Sequence, residues 1–140
     1  MKSFRYPPGR IHLLRLDTDG DLSDSITAYA EQHGITVGWI NFLGAVRRAS
    51  LRYYDQEAKR YEDFVVDEPL EVVAGVGNVS LLDGRPFIHI HAALTDEAGH
   101  GRGGHVNSGT VVFAMEVMIQ ELDGVPPSRE LDDCTGLTLW

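Results

Sequence analysis

The chain has almost no cysteine. Cys134 is the only one in 140 residues, which excludes an intramolecular disulfide and any cysteine-rich zinc module. Long apolar runs are also missing, and nothing approaches the ~20 residues needed to cross a bilayer. Residues 1–8 are basic and have no apolar signal core, so the expected compartment is the cytoplasm, with no membrane association. Basic residues are scarce, with 12 Lys and Arg against 21 Asp and Glu, for a formal net charge of −9. Affinity for duplex nucleic acid comes largely from Lys and Arg neutralising phosphates, so direct DNA binding is disfavoured. Arg47-Arg48, with Arg52 further along, is the basic grouping considered as a nucleic-acid patch. Adjacent strand residues point to opposite faces, so it reads as solvated surface charge. The glycine-rich run at 99–104 is followed by no Lys-Ser/Thr pair and opens no helical pattern, which argues against a phosphate loop.

The remainder is ordinary globular material. Hydrophobic residues make up 43% and charged residues 24%, and the length suits one domain over 1–140, with a core at about 5–124 and a tail at 125–140. Residues 9–16 alternate as a strand. Leu22, Ile26, Tyr29 and Ala30 then fall on one helical stripe, with Asp21 or Ser23 to cap its start and Gly34 to end it. Strands follow at 37–42, 45–54, 61–66, 71–82, 87–94 and 110–122. Gly75 and Gly77 interrupt the fourth of these and predict a bulge or a close backbone contact. Asp83-Gly84 is a hairpin signal, and residues 95–108 read as a flexible loop. In the last long strand Val111, Phe113, Met115, Val117 and Ile119 form one apolar face. The tail is turn-rich, and residues 136–140 have the character of an edge strand. About seven strands against one clear helix predict an α+β fold, a mostly antiparallel sheet flanked by one or a few helices.

Three histidines carry the chemistry. His89 and His91 sit two apart in an extended segment, which places both imidazoles on one strand face. His105 follows Gly103-Gly104, 14 positions after His91, where a returning chain can bring a third imidazole to the pair. Three protein ligands with an open position is the usual plan of a catalytic zinc centre, whereas structural zinc is normally enclosed by four. Zinc is the default ion, although imidazole also suits copper, nickel and iron. Glu116 interrupts the other face of the last long strand. If that strand lies beside the His strand, Glu116 can serve as a fourth ligand, a partner to a ligand or a general base. Asn78 and Ser80, across the hairpin from the His segment, are candidate polar lining for a bound cofactor or ligand. His100 is a spare imidazole in the same loop, His33 lies at a helix end where a cation is favoured, and His12 has no evident partner.

Gly77-Asn78-Val79-Ser80, Asp83-Gly84-x-Pro86, His89-x-His91-Ala92 and Gly103-Gly104-His105 together resemble the plants-and-prokaryotes-conserved (PPC) domain. Gly9-Arg10, Asp21-Leu22 and Phe42-Leu43-Gly44-Ala45 fit as well, so the likeness spans about residues 5–124. The resemblance implies an antiparallel sheet flanked by helices, a homotrimer, and zinc on His89, His91 and His105. Plant members join AT-hook segments that bind A·T-rich minor grooves, and prokaryotic stand-alone members are often labelled as predicted to bind DNA. This chain has no Arg-Gly-Arg-Pro hook, so that activity does not carry over. In fold and His pattern the family is also similar to acetolactate decarboxylase, a zinc enzyme. Two readings follow. One is a zinc protein acting on a small carbonyl or carboxylate compound, with lyase and hydrolase chemistry both open. The other is a DNA-associated or regulatory module in which the metal is structural. Fold alone does not choose between them.

Overall fold

The structure, a computed structural model, describes residues 1–140. After strand β1 (Pro8–Leu16) the chain enters helix α1 (Leu22–His33). Asp21 caps the helix, its Oδ1 accepting the backbone N–H of Asp24 at 2.9 Å. The helix ends at Gly34, and Ile35 N–H closes the last turn onto the Ala30 carbonyl at 2.9 Å. Leu22, Ile26 and Ala30 are buried, as their spacing requires. The strands that follow are β2 (Gly38–Asp55), β3 (Arg60–Val66), β4 (Leu70–Leu82), β5 (Arg85–Thr95), β6 (Gly101–Val106) and β7 (Val111–Leu122). With β1 they form a seven-stranded antiparallel sheet in the order β1-β7-β2-β4-β5-β6, and β3 pairs with β2 off that path. The α+β architecture expected from the sequence is the one observed. No helix is long and apolar enough to cross a membrane.

Strand β2 organises the sheet. The sequence reads as two strands, 37–42 and 45–54, but they are one 18-residue strand whose register against β4 shifts between Phe42 and Gly44. Its first half lies between β4 and β7. Its second half pairs with β3 and also reaches β6, with Leu51 opposite Val106 and Arg52 opposite His105. The sheet therefore curls until β6 meets the far end of β2. The Asp83-Gly84 hairpin forms as expected, with φ of 51° and 76°, both positive as a two-residue type I′ turn requires. At Gly75 the expectation of a close contact is met by a side chain. The Phe42 ring lies against it, and a Cβ would fall 2.1 Å from that ring.

The expected loop and the last strand also need correction. Residues 95–108 are not a flexible loop. A short turn is organised by Asp96, whose Oδ1 accepts the backbone N–H groups of Ala98 at 2.9 Å and His100 at 2.8 Å. The chain then returns as β6, paired with β5 from Thr95–Gly101 to His91–His105. Glycines hide this strand, because without side chains there is no alternation to read. In β7 the apolar face does not run through every odd position. Met115, Val117 and Ile119 are buried, but register shifts opposite Ala45–Arg48 turn Val112 inward and leave Phe113 half exposed.

α1 covers one face of the sheet, and the core between them includes Ile40, Val79, Ile90 and Ile119, all at most 1% exposed. Ile90, Ala92 and Leu94 of β5 point into this core, so His89 and His91 face the other way. On that second face the cross-strand register aligns Leu13, Met118, Asn41, Val76 and His91 in one row, and Leu13, Trp39, Leu43 and Val76 are exposed.

Candidate metal centre

Pairing of β5 with β6 places His105 directly opposite His91, and pairing with β2 sets it beside Arg52. Gly103 permits this approach, since a Cβ there would meet the Ala92 carbonyl oxygen at 2.6 Å. The three imidazole centroids lie 5.0, 5.0 and 5.2 Å apart. Nε2 of His89 and Nε2 of His91 are separated by 3.1 Å, and one nitrogen from each of the three falls within 4.8 Å of the others. Zinc–imidazole bonds of 2.0–2.1 Å in a tetrahedron set nitrogens about 3.4 Å apart, so small side-chain rotations suffice to seat an ion. The Nδ1 atom of His105 is buried with no hydrogen-bond partner, an unusual state for a polar atom and one that suits a donor set meant for a cation. The structure thus brings together the three histidines singled out by their spacing.

The electrostatics also suit ligation, which requires neutral imidazole. Burial pushes the His89 pKa down to about 4, with the charges of Arg129 and His91 acting in the same direction. Burial likewise pushes His105 down to about 4, helped by His89, His91, Arg52 and Arg129. His91 is lowered by burial.

Arg129 is the residue that sequence reasoning missed. It enters from the tail, where Leu81 N–H donates to the Pro127 carbonyl at 3.0 Å and Arg129 N–H donates to the Leu81 carbonyl at 2.8 Å. The tail forms its own two-stranded sheet, β8 (Glu130–Leu131) with β9 (Thr138–Leu139), instead of an added edge strand. The Arg129 guanidinium is buried behind His89. It donates to Ser80 Oγ at 2.7 Å, Asn78 Oδ1 at 2.9 Å and the Thr138 carbonyl at 3.0 Å, and its Nη2 lies 3.4 Å from His89 Nδ1. Asn78 and Ser80, expected as polar lining, do sit beside the His strand, with Asn78 directly opposite His89. Their acceptors are turned toward Arg129. Nothing in the sequence separates Arg129 from an ordinary tail residue except the two hydroxyl- and amide-bearing strand positions that need a donor.

The remaining candidates lie elsewhere. Glu116 is exposed on the same sheet face as the histidines, but β7 pairs with β1 and β2, and β2 and β4 stand between it and β5. Three strand spacings amount to about 14 Å, so Glu116 is not beside the cluster within one chain. Its expected role depended on an adjacency that the strand order does not provide. His12 contacts Tyr29 Oη at 3.1 Å and Glu121 at 3.4 Å. His33 stacks on Tyr29 with centroids 3.9 Å apart, and His100 pairs with Asp96 at 3.0 Å. Arg47 pairs with Asp19 at 2.7 Å and Arg48 lies 3.8 Å from Asp67, in keeping with solvated surface charge.

Solved structures share this architecture. A metal-containing protein from Archaeoglobus fulgidus is 45% identical, with 100% of this chain and 99% of that one covered and a TM-score of 0.96. A plant- and prokaryote-conserved (PPC) protein from Pyrococcus horikoshii is 33% identical, covered over 100% and 96% of the two chains, with a TM-score of 0.94. The fold alone extends to a DNA-binding candidate from Bacteroides thetaiotaomicron, 21% identical over 96% and 95% of the two chains, with a TM-score of 0.85. It extends also to acetolactate decarboxylase from Bacillus subtilis, 18% identical over 89% and 56%, with a TM-score of 0.59. Among curated proteins, the bifunctional protein GlmU of Synechococcus sp. (strain JA-3-3Ab) is 30% identical over 129 residues, 91% of this chain; the chain spans about one fifth of that relative's length, the matched share being 20%. A profile of the Plants and Prokaryotes Conserved (PCC) domain matches residues 4–123, most of the length, and the chain therefore belongs to that family.

Proposed function

We propose that His89, His91 and His105 hold one divalent cation, with zinc as the ion, and that this centre acts on a small carbonyl or carboxylate compound. The observation that carries the reading is the convergence of three imidazole nitrogens within 4.8 Å, one of the imidazoles having a buried and unpartnered Nδ1. Three imidazoles leave coordination positions open, as catalytic sites do and structural sites do not. A cation held there supplies Lewis acidity toward a carbonyl or carboxylate oxygen, which serves lyase and hydrolase chemistry alike. The chain's own contribution is to hold the imidazoles neutral by burial and to fix them on paired strands. The metal content of the Archaeoglobus fulgidus relative supports the same reading.

A homotrimer is the proposed assembly, supported by the uncovered apolar face that carries Leu13, Trp39 and Leu43. Cytoplasm is the proposed compartment, consistent with the exposed free thiol of Cys134. Elemental analysis of protein purified without chelator tests the centre. About one equivalent of metal per chain is expected, falling to a trace in both His89→Ala and His91→Ala. Absence of metal from folded wild-type protein, together with salt-sensitive retention on A·T-rich duplex, would replace this reading with a DNA-associated one. The net charge of −9 argues against that outcome.

A further inference from the structure

Arg129 is the only charged residue in the buried set. Its nearest acceptors are all neutral: Ser80, Asn78, the Thr138 carbonyl and, at 3.4 Å, His89. A guanidinium has five N–H donors. Here one Nη1 donor is left over, and the contact from Nη2 to His89 is long. Neutral acceptors satisfy its geometry but leave its charge uncompensated, which is costly out of water. A divalent cation on the adjoining imidazoles would add more positive charge to the same end of the sheet. Both features call for an anion.

A cavity of about 250 Å³ opens beside His89 and His105, between the β2–β3 hairpin and the tail. Arg52, Lys59, Arg60 and Arg129 line it. They are four of the chain's 12 basic residues, and none of its 21 acidic residues joins them in the wall, an inversion of the overall balance. Arg52 and Arg60 are already engaged by Asp63 at 3.0 Å and Glu62 at 2.7 Å, both on β3. Lys59 and Arg129 have no such partner, and the Lys59 ammonium donates only to the Asp133 carbonyl at 3.1 Å. The rest of the wall is largely apolar. Phe87 lies 5.0 Å from the Arg129 guanidinium carbon, with Leu82, Leu137 and Leu139 nearby. The volume falls below the usual range for drug-sized ligands, so the occupant is small.

We propose that this cavity binds a small organic carboxylate next to the metal centre. The carboxylate faces Arg129 and Lys59, and the apolar body packs against Phe87 and the leucines. The proposal rests on the metal-centre reading for what the ligand does there, but the binding itself depends only on residues of the cavity. Calorimetric titration with benzoate, benzamide and inorganic phosphate, on chelator-treated and on zinc-loaded protein, tests it. Benzoate is expected to bind both forms and to weaken with added sodium chloride. Benzamide should not bind, and phosphate should bind at least tenfold more weakly. Arg129→Met should weaken benzoate about tenfold to a hundredfold, the worth of a hydrogen bond to a charged group. Lys59→Gln, at an exposed turn where folding is not at stake, should weaken it several-fold, and unchanged affinity there counts against the proposal. Benzoate binding by protein that fails to take up zinc when zinc is supplied supports the cavity and overturns the metal reading alone. Binding seen only with zinc and unaffected by Arg129→Met overturns the cavity and leaves the metal reading intact. No binding in either form, or phosphate bound as tightly as benzoate, overturns the proposal.

Discussion

Loading the three-histidine centre should raise the thermal midpoint by an amount that can be worked out beforehand. A cation that binds only the folded chain stabilises it by about 2.7 kcal/mol at a free concentration a hundred times its Kd. Unfolding entropy near the midpoint is about 2.1 cal/mol/K per residue. For 140 residues this gives roughly 0.3 kcal/mol/K, so the midpoint should climb by about 9 °C. The control is His105→Ala. In metal-free protein the substitution removes a buried Nδ1 that has no partner, a group whose burial costs about 1–3 kcal/mol. It also opens a small void, which costs a comparable amount. The two effects oppose each other, so the metal-free variant should stay within about 1 kcal/mol, or about 3 °C, of wild type. The metal-dependent rise should nearly vanish. Differential scanning calorimetry of chelator-treated protein at pH 7.5, with and without zinc, reads both quantities. A midpoint that zinc, cobalt and nickel all leave unmoved would refute the reasoning. So would a rise of equal size in His105→Ala, which would place the ion elsewhere.

The metal-free protein should lose stability in mild acid. His89 and His105 are held near 4 in the fold and return to about 6.5 on unfolding, so between these values the unfolded chain binds more protons. Stability is complete above about pH 6.5 and declines as pH falls toward 4; urea midpoints at pH 7.5, 6 and 5 should decrease in that order, and a flat profile would contradict the burial of these rings. Ile119, fully buried in the second half of β7, should cost about 2–5 kcal/mol when changed to alanine, and a loss below 1 kcal/mol in a denaturant titration would count against the core assignment. Gly75→Ala should destabilise by about 1–3 kcal/mol through overpacking against the Phe42 ring. Combining it with Phe42→Leu should recover part of that loss, and strict additivity would show that the ring is not the obstacle.

What was legible in the sequence divides along a physical line. Alternation is local, and it placed His89 and His91 on one face because Ile90 between them belongs to the core. The helix was legible for the same reason: the Leu22, Ile26 and Ala30 stripe and the Asp21 cap are local. His105 was legible as a ligand but not as a strand residue, since Gly101, Gly103 and Gly104 offer no side-chain pattern and only pairing with β5 reveals the strand. The inward turn of Val112 was hidden because a bulge is a mismatch between two strands, and one strand alone does not record it. Glu116 shows the limit most clearly. Its face was read correctly, yet its neighbours depend on strand order, and that order is set by which hydrophobic surfaces close together across long stretches of chain.

Arg129 marks the same limit from the other side. A solvated tail arginine and a buried one look alike in sequence. They differ only in whether a cavity with lone pairs awaits the guanidinium, and here Ser80 and Asn78 supply those lone pairs from a strand some fifty positions earlier. Ser80 is fully buried and Asn78 lies beside His89, so these two polar side chains on a core strand needed a donor from somewhere. The unfilled acceptor was therefore the readable sign, and the donor was not. A buried cation fixed by neutral groups leaves a charge for something else to balance, and the imidazoles next to it are held neutral in part by that charge. The tail is thus coupled electrostatically to the three-histidine centre, and truncating it would alter the centre's proton affinity even with every histidine in place.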